Sequence, residues 1–344
     1  MEKEGIKRIL DANINRAVEG LRVLEEIARF ILEDRKTTNE LKKLRFEIRL
    51  LVKRLILSES HLIGRKIQSD VGKDLYTQSE AQRKTIIDIF LANAKRVEEA
   101  VRVLEEFSKL INPSCGKDFK NIRFKIYDLE KRIYYVLARK SKLDFDLYLI
   151  TDPMRDYFEV AKAAIAGGVK IIQLRDKTAS QADLLKMAMK INKLTKKAGV
   201  TLIINDYPEV AKKSNADGLH LGQEDLRKMP IIKMRKYLGE DKIIGVSVEN
   251  IAQAIMAQKQ GADYIAVGPI FPTQNKPESK VLGLKLLEKI VNKVTVPLIA
   301  IGGINENNLG KVLKTGCQRV AVISAVLSKI DMFKAINKLK GTFK

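Results

Sequence analysis

The sequence predicts an α/β chain in two parts, an all-helical domain over residues 1–143 followed by an α/β barrel over residues 144–344. Glycine and proline usage leads to this division. Residues 1–144 hold five of the 20 glycines and one of the eight prolines, which is typical of long uninterrupted helices. The remaining 200 residues hold fifteen glycines and seven prolines, as expected where many short elements alternate.

The helical part contains an internal duplication. The segment ANINRAVEGLRVLEEIARFI from Ala12 matches ANAKRVEEAVRVLEEFSKLI from Ala92 at ten of 20 positions. A second match, at six of twelve positions, joins LRFEIRLLVKRL from Leu44 to IRFKIYDLEKRI from Ile122. Each copy therefore predicts a pair of helices, and the domain a duplicated helical hairpin.

Polar residues interrupt the apolar face of the duplicated helix. Asn13 falls in the middle of that face, and Asn93 has the equivalent position in the second copy. Charged residues line the flank of the face, namely Arg16, Glu19, Arg22 and Glu26. One interpretation is that the two copies face a shared polar pocket. The other is a buried asparagine that sets helix register beside charges paired along a solvated face. The connector from Gln68 carries Asp70 and Gly72 and is either a ligand loop or a simple loop.

Eight short apolar runs follow, each succeeded by a helix-compatible stretch. They are FDLYLIT, VKIIQLR, TLIIND, DGLHL, KIIGVSV, YIAVGPI, VPLIAIGG and RVAVIS. Near-continuous Ile, Val and Leu are typical of parallel strands that are buried on both faces. Eight βα units in about 200 residues predict a (β/α)8 TIM barrel, in which chemistry lies at the carboxyl ends of the strands.

The residues at those strand ends are polar and suited to binding phosphate. In strand order they are Gln173, Arg175, Asp176 and Lys177, then Asn205 and Asp206, then Asp225, Ser247, Thr273 and Lys276, Gly302 and Gly303, and Ile323 and Ser324. The glycines after strand seven and the amides near Ile323 fit a barrel phosphate site. Arg175 and Lys276 supply fixed positive charge for a second anion.

Two aspartates on neighbouring strand ends predict a Mg²⁺ site. Asp206 and Asp225 can share an ion that neutralises a diphosphate, although a structural ion network with the nearby cations is the alternative. His220 lies within strand four and is expected to be packed rather than catalytic. Two anion sites, one metal and no evident nucleophile favour a reaction in which a diphosphate leaves and a second substrate attacks.

The formal charge of +22 raises the question of polyanionic partners. Residues 1–144 carry 32 basic and 23 acidic residues, hence +9, and the remainder carries 32 and 19, hence +13. Because this excess forms neither a tail nor one basic domain, small phosphorylated substrates are the expected partners, and nucleic acid is not. No run of eighteen apolar residues and no leader-like N-terminus are present, so we expect no membrane contact and a cytoplasmic location.

The barrel motifs resemble those of the thiamine phosphate synthases. YLITD, IQLRDK, LIINDYPEVA, ADGLHLGQED, IGVSV, ADYIAVGPIFPT, LIAIGGI and VAVISAVL occur in the family's order over residues 145–340. The resemblance implies condensation of hydroxymethylpyrimidine diphosphate with hydroxyethylthiazole phosphate, releasing pyrophosphate by a dissociative, Mg²⁺-assisted route. A pyrimidine methylene cation would be captured by the thiazole nitrogen.

The resemblance also implies roles for individual residues. Arg175, Lys177, Ser247 and Lys276 would be catalytic, and Asp206 and Asp225 would bind Mg²⁺. The pyrimidine diphosphate would contact Gln173, Leu174, Arg175, Asp176, Lys177, Asn205, Ser247 and Lys276. The thiazole phosphate would contact Thr273, Gln274, Asn275, Gly303, Ile323 and Ser324. Asn275 stands where the family often has threonine, and we expect a mild effect because an amide also hydrogen-bonds phosphate.

Two alternatives to a synthase stay open at this point. The synthase family often has a histidine two positions after Ser247, where this chain has Glu249. Thiazole tautomerases resemble the synthases but use a histidine in this region as base, so Glu249 together with the two intact aspartates favours the synthase. A non-catalytic protein that binds phosphometabolites or nucleic acid is the alternative from another class. The helical domain resembles ThiD2-type domains through RILDANINRAVEGLRVLEEIARF, SDVGKD and ANAKRVEEAVRVLEE. That resemblance implies a hydroxymethylpyrimidine phosphate kinase, with a scaffold as the competing interpretation.

Overall fold

The computed structural model describes residues 2–55, 82–274 and 277–343. The connector with Asp70 and Gly72, together with Asn275 and Lys276, lies outside the described residues. The chain divides into two compact units, Met1–Ala138 and Arg139–Lys344. Among the helices of the described ranges, none is both long enough and apolar enough to cross a bilayer.

The first unit is built from helices. They are α1 (Glu2–Glu26) with a π-helical extension (Ile27–Ile31), α2 (Arg35–Leu55), α3 (Ile86–Ser108) and α4 (Pro113–Ser141), whose last turn belongs to the second unit. Thr85 caps α3, since its side chain accepts from the backbone N–H of Asp88 and the Asp88 carboxylate accepts from that of Thr85. The duplicated positions Leu24 and Leu104 are both buried, as the repeated apolar face predicts.

Close approach of α1 and α3 explains a glycine that only one copy has. A Cβ at Gly20 would lie 2.6 Å from Cγ2 of Val97 and 3.2 Å from the carbonyl oxygen of Asn93. Gly20 therefore lets the two repeated helices touch through their backbones. The helical character of this part agrees with the sequence prediction.

The second unit alternates strands and helices. Its strands are β1 (Leu147–Ile150), β2 (Ile171–Leu174), β3 (Thr201–Asn205), β4 (Gly218–Leu221), β5 (Ile243–Val248), β6 (Tyr264–Val267), β7 (Leu298–Ile301) and β8 (Val320–Val322). Its helices are α5 (Tyr157–Ala166), α6 (Gln181–Ala198), α7 (Pro208–Lys213), α8 (Gln223–Lys228), α9 (Ile231–Leu238), α10 (Ile251–Lys259), α11 (Gly283–Val291), α12 (Leu309–Leu313), α13 (Ser324–Leu327) and α14 (Met332–Gly341). Each predicted apolar run contains one strand.

The strands close into a barrel in sequence order, with β8 pairing back to β1 and every pair parallel. The prediction of a (β/α)8 barrel is thereby confirmed. Alternate residues of each strand face opposite sides. Leu147 and Leu149 pack outward with the helices, whereas Tyr148 and Ile150 pack inside the barrel.

A buried ion cluster lies at the amino-terminal end of the barrel strands. Asp263, just before β6, accepts from Nε of Arg139 at 2.8 Å and from Nη2 of Arg235 at 2.7 Å. The same carboxylate accepts from the backbone N–H of Ile244 at 2.8 Å, and both arginines also donate to backbone carbonyls. This cluster holds the start of β5 and β6 and lies at the opposite end from the polar strand termini.

Candidate active site

A cavity of about 580 Å³ opens at the carboxyl ends of the barrel strands. Most of the predicted site residues line it. Those in the lining are Gln173, Arg175, Lys177, Asn205, Asp206, Asp225, Ser247, Thr273, Gly303, Ile323 and Ser324. Since these residues come from all parts of the barrel sequence, the closure of the sheet is what brings them together.

Three other predicted residues lie away from this lining. Leu174 is fully buried among the outward-facing core residues, and Gln274 is exposed. Asp176 is buried, but its carboxylate holds the loop that follows β2. It accepts from the hydroxyl of Tyr157 at 2.6 Å and from the backbone N–H groups of Thr178 and Ala179 at 2.7 and 2.9 Å.

The pKa of the Asp176 carboxyl agrees with a structural role in the loop that follows β2. Burial raises the pKa of its carboxyl, but the hydrogen bonds from Tyr157, Thr178 and Ala179 outweigh burial and lower the pKa to about 2. The pattern Asp-Lys-Thr-Ala-Ser signals this geometry, because an Asp ahead of a loop commonly binds backbone amides two and three residues later.

The two predicted metal ligands line the same cavity. Asp206 follows β3 in a left-handed conformation, with φ of 61°, and its backbone N–H donates to the carbonyl oxygen of His220 at 2.9 Å. Asp225 lies in the first turn of α8, and its Oδ2 accepts from the backbone N–H of Gly222 at 3.0 Å. Burial and the charge of Asp225 raise the pKa of Asp206.

The donor set of this carboxylate pair fits Mg²⁺. Mg²⁺ is usually bound by one or two protein carboxylates together with water and substrate phosphates. Within residues 2–55, 82–274 and 277–343, no group of three or more His, Cys, Asp or Glu side chains forms an all-protein metal cage. Asp206 and Asp225 therefore suit an ion that is completed by a phosphorylated ligand.

Positive charge lies beside the carboxylates. Arg175 and Lys177 line the same cavity, and both favour the charged form of Asp206, opposing the rise of its pKa. Thr151, at the end of β1, accepts from the backbone N–H of Arg175 at 2.9 Å, and Asp152 pairs with its guanidinium at 3.5 Å. The neighbouring strand therefore holds Arg175 at the cavity edge.

The loop after β7 closes the opposite side of the cavity. Gly303 has a φ of 65°, and a Cβ there would lie 2.3 Å from the carbonyl oxygen of Pro272. Glycine is thus required by both the backbone conformation and the close approach of the loop after β6. Ile323 and Ser324, at the start of α13, line the same side.

Comparison with known proteins assigns the barrel to a family. A family model described as thiamine monophosphate synthase matches residues 147–326. The chain belongs to the thiamine monophosphate synthase family. A second model, described as the ThiD2 family, matches residues 8–132. Membership of the synthase family makes the chain a transferase.

Relatives of this family match both parts of the chain. The thiamine-phosphate synthase of Prochlorococcus marinus subsp. pastoris is 40% identical over 95% of this chain and 92% of its own length. That of Synechocystis is 38% identical over 97% of this chain and 95% of its own length. The solved thiamine phosphate pyrophosphorylase of Pyrococcus furiosus has a TM-score of 0.55 at 37% identity, covering 59% of this chain and 97% of that one.

The cavity of this family member also contains residues that the sequence prediction did not include. His220 was expected to be packed, and it is buried, but its Nε2 lies 2.8 Å from Oγ of Ser247. Arg227 and Gln253 also line the cavity. They lie in α8 and α10, six residues after the end of β4 and five residues after the end of β5, and this position in the helix that follows a strand is the signal that could have indicated them.

In the unit that matches the ThiD2 family, each copy of the duplication contains an equivalent ion pair with a buried glutamate. Nε of Arg45 donates to Glu25 at 2.9 Å, and Nε of Arg123 donates to Glu105 at 2.8 Å. Both glutamates are buried, and the sequence prediction did not single them out. Their spacing of 80 residues was the available signal.

The repeated asparagines are satisfied within their own helices. Nδ2 of Asn13 donates to the carbonyl oxygen of Ile9, and Nδ2 of Asn93 donates to that of Ile89, both at 2.8 Å. Arg22, which is exposed, pairs with the half-buried Glu26 at 2.5 Å. These contacts favour the interpretation of charges paired along a solvated face over that of a shared polar pocket.

Proposed function

We propose that the barrel condenses 4-amino-5-hydroxymethyl-2-methylpyrimidine diphosphate with hydroxyethylthiazole phosphate, forming thiamine phosphate and pyrophosphate. The observation that carries this proposal is the composition of one cavity. A pair of carboxylates, two cations and a glycine turn surround the same space of about 580 Å³. Small phosphorylated substrates match this combination, whereas duplex nucleic acid, a wide rod with its phosphates spread along the outside, does not.

Arg175 and Lys177 would bind the departing diphosphate. The bond between the pyrimidine methylene carbon and the diphosphate oxygen breaks, the electron pair leaves with pyrophosphate, and the thiazole nitrogen then bonds to the methylene carbon. Fixed cations beside the leaving group stabilise the charge that develops on it. The sequence resemblance assigns Lys276 to the same set of diphosphate-binding cations. Asp206 and Asp225 would hold Mg²⁺, which when bound neutralises diphosphate charge.

Neutral donors would orient the pyrimidine. Gln173, Asn205 and Ser247 line the cavity at the ends of β2, β3 and β5. Since amides and hydroxyls bind heterocycles without adding charge, they suit a ring that becomes cationic. The thiazole phosphate would occupy the other side, at Thr273, Gly303, Ile323 and Ser324, which line the cavity beside the glycine turn. Gln274 and Asn275 are assigned to this phosphate by the sequence resemblance alone.

The experiment that tests this function measures pyrophosphate release from the two substrates with Mg²⁺. The Asp206→Asn substitution keeps the side-chain shape but removes the charge, and we expect turnover to fall by about 100-fold or more. Glu224→Gln is the matched control, because Glu224 is an exposed acid in the lining of the same cavity. Its turnover should stay within about twofold.

Two results would contradict the proposal. Absence of pyrophosphate and thiamine phosphate with the intact protein would refute the synthase function. Equal turnover in Asp206→Asn and the intact protein would refute the metal assignment. Glu249 lines the cavity where the related tautomerases use histidine, so rearrangement of the thiazole without condensation is the outcome that would favour that alternative.

We also propose that the first unit phosphorylates hydroxymethylpyrimidine phosphate, on the basis of the ThiD2 match over residues 8–132. The full chain is given ATP and hydroxymethylpyrimidine phosphate without the thiazole, so that diphosphate accumulates. Its formation supports the kinase. No diphosphate from a preparation that performs the condensation would favour the scaffold interpretation.

A further inference from the structure

A row of hydrogen-bonded side chains crosses the barrel interior directly below the cavity. Nε2 of Gln173 donates to the hydroxyl of Tyr148 at 2.9 Å, and that hydroxyl lies 3.0 Å from the hydroxyl of Tyr264. The Tyr264 hydroxyl lies 2.9 Å from Nδ1 of His220, whose Nε2 lies 2.8 Å from Oγ of Ser247. The row thus connects β2, β1, β6, β4 and β5.

The two ends of this row are substrate-binding residues of the proposed function, Gln173 and Ser247. Its middle members are almost completely buried, with Tyr148 at 1%, Tyr264 at 0% and His220 at 7% exposure. The other large side chains of the interior layer are mostly isoleucines. Since a buried polar row is costly unless every member is satisfied, its position between two site residues suggests a task beyond filling the barrel.

The number of protons available in the row determines which atom donates in each of its hydrogen bonds. A tyrosine hydroxyl has one proton, and a neutral imidazole has one donor and one acceptor nitrogen. Tyr148 accepts from Gln173, and among the described residues the other atom within hydrogen-bond distance of its hydroxyl is the Tyr264 oxygen, so donation to Tyr264 satisfies the Tyr148 proton. Tyr264 then satisfies its own proton by donating to Nδ1 of His220. Burial raises the pKa of both tyrosines, so both hydroxyls keep their protons. The imidazole proton is then on Nε2, facing Ser247.

We propose that His220 is a positioning residue that makes the Ser247 hydroxyl a hydrogen-bond donor toward the substrate. With Oγ accepting from Nε2, the serine proton is directed to an acceptor atom of the pyrimidine diphosphate, a ring nitrogen or a phosphate oxygen. This inference rests on the proposed function, because Ser247 acts on the substrate of that reaction.

Two further contacts hold this geometry. The rings of His220 and Tyr264 are stacked, with centroids 5.6 Å apart and an interplanar angle of 20°. Nε2 of Gln223 donates to the backbone carbonyl oxygen of Ser247 at 2.6 Å. The imidazole plane and the serine backbone are therefore both restrained. The remaining freedom is rotation of the Ser247 O–H about the Cβ–Oγ bond, and the hydrogen bond from His220 restricts that rotation.

The test is a double-mutant cycle on kcat/KM for pyrophosphate release by the full chain. His220→Leu removes the Nε2 donor and should lower kcat/KM by about tenfold, the effect of one positioning hydrogen bond. In the S247A background the same substitution should change kcat/KM by less than twofold, since the group on which it acts is gone. His220→Gln retains an N–H donor near the Nε2 position and should recover most of the loss.

Tyr264→Phe is the second variant, and it decides the matter if His220→Leu does not fold. It keeps the ring but removes the hydroxyl that donates to Nδ1, so the imidazole tautomer is no longer held. We expect a loss of about threefold that also disappears in the S247A background. A purely structural role would give equal losses with and without Ser247, and that result would overturn the inference. If the unsubstituted protein released no pyrophosphate, the proposed function itself would fail.

Discussion

The substitution Gly245→Ala tests how tightly β5 packs against β6 inside the barrel. A Cβ at Gly245 would lie 1.9 Å from Cζ of Tyr264 and 2.3 and 2.4 Å from its two Cε atoms. The ring would have to retreat by about 1.5 Å to reach an ordinary contact distance of 3.4 Å. Tyr264 is fully buried and its hydroxyl lies within hydrogen-bond distance of Tyr148 and His220, so the retreat disturbs both packing and hydrogen bonds.

The expected loss of stability follows from these two effects. Overpacking of a core costs about 1–3 kcal/mol, and a buried hydrogen bond left unmade costs about 1–3 kcal/mol. We therefore expect the free energy of unfolding to fall by about 2–6 kcal/mol. In a unit of about 200 residues, each kcal/mol lowers Tm by about 2–4 °C, which gives a decrease of about 4–24 °C.

Thermal unfolding followed by circular dichroism measures this decrease. Gly310→Ala is the matched control, because a Cβ at Gly310 meets no atom within 4 Å and the residue lies in α12. That variant should be unchanged or more stable by up to about 1 kcal/mol. Equal Tm values for Gly245→Ala and Gly310→Ala would refute the packing described for Gly245 and Tyr264.

Three further predictions concern groups outside the cavity. Asp263→Ala leaves the buried Arg139 and the mostly buried Arg235 without their carboxylate and should lower the free energy of unfolding by about 3–5 kcal/mol in urea titrations. A loss below about 1 kcal/mol would mean that the cluster is effectively solvated. Burial and a neighbouring glutamate raise the pKa of Glu98 from 4.5 to about 7. The folded chain therefore retains a proton that the unfolded chain releases, and stability falls as pH rises from about 4.5 to about 7. Glu98→Gln should remove this fall and raise stability at pH 8 by about 1–3 kcal/mol, whereas Glu99→Gln on the exposed side should keep the pH dependence. Cys115 and Cys317 are both buried, so a thiol reagent should modify neither in the native protein and both in denaturant; rapid native modification would show that one of the two sites opens.

The arrangement of strands and helices could be predicted because its signals are local. The run VKIIQLR predicts a strand, and β2 occupies Ile171–Leu174 within it. The polar strand ends could be predicted as one site because parallel strands in a closed sheet end at the same rim. Asp206 and Asp225 line one cavity for this reason, and their binding of Mg²⁺ stays a prediction. One oxygen of Asp225 also accepts from the backbone N–H of Gly222, just before its helix.

Contacts between distant parts of the chain could not be predicted in the same way. Asp176 has the polarity expected of a diphosphate ligand, yet its carboxylate is occupied by three donors of its own loop and by Tyr157. The buried Glu25 and Glu105 looked like any other helix charges until Arg45 and Arg123 were placed beside them. In each case the partner, rather than the residue itself, determines the role.

Residue order along the chain was enough to predict a duplicated helical part, a barrel and a rim of polar strand ends, because periodicity and strand ends are properties of short segments. The direction of the hydrogen-bonded row beneath the cavity depends on the register of separate strands. His220 and Tyr264 are 44 residues apart, and they meet because β4, β5 and β6 pair at one particular offset. A shift of one residue would turn both side chains to the other face of the sheet. For this reason the donor state proposed for Ser247 could be inferred only from the closed barrel.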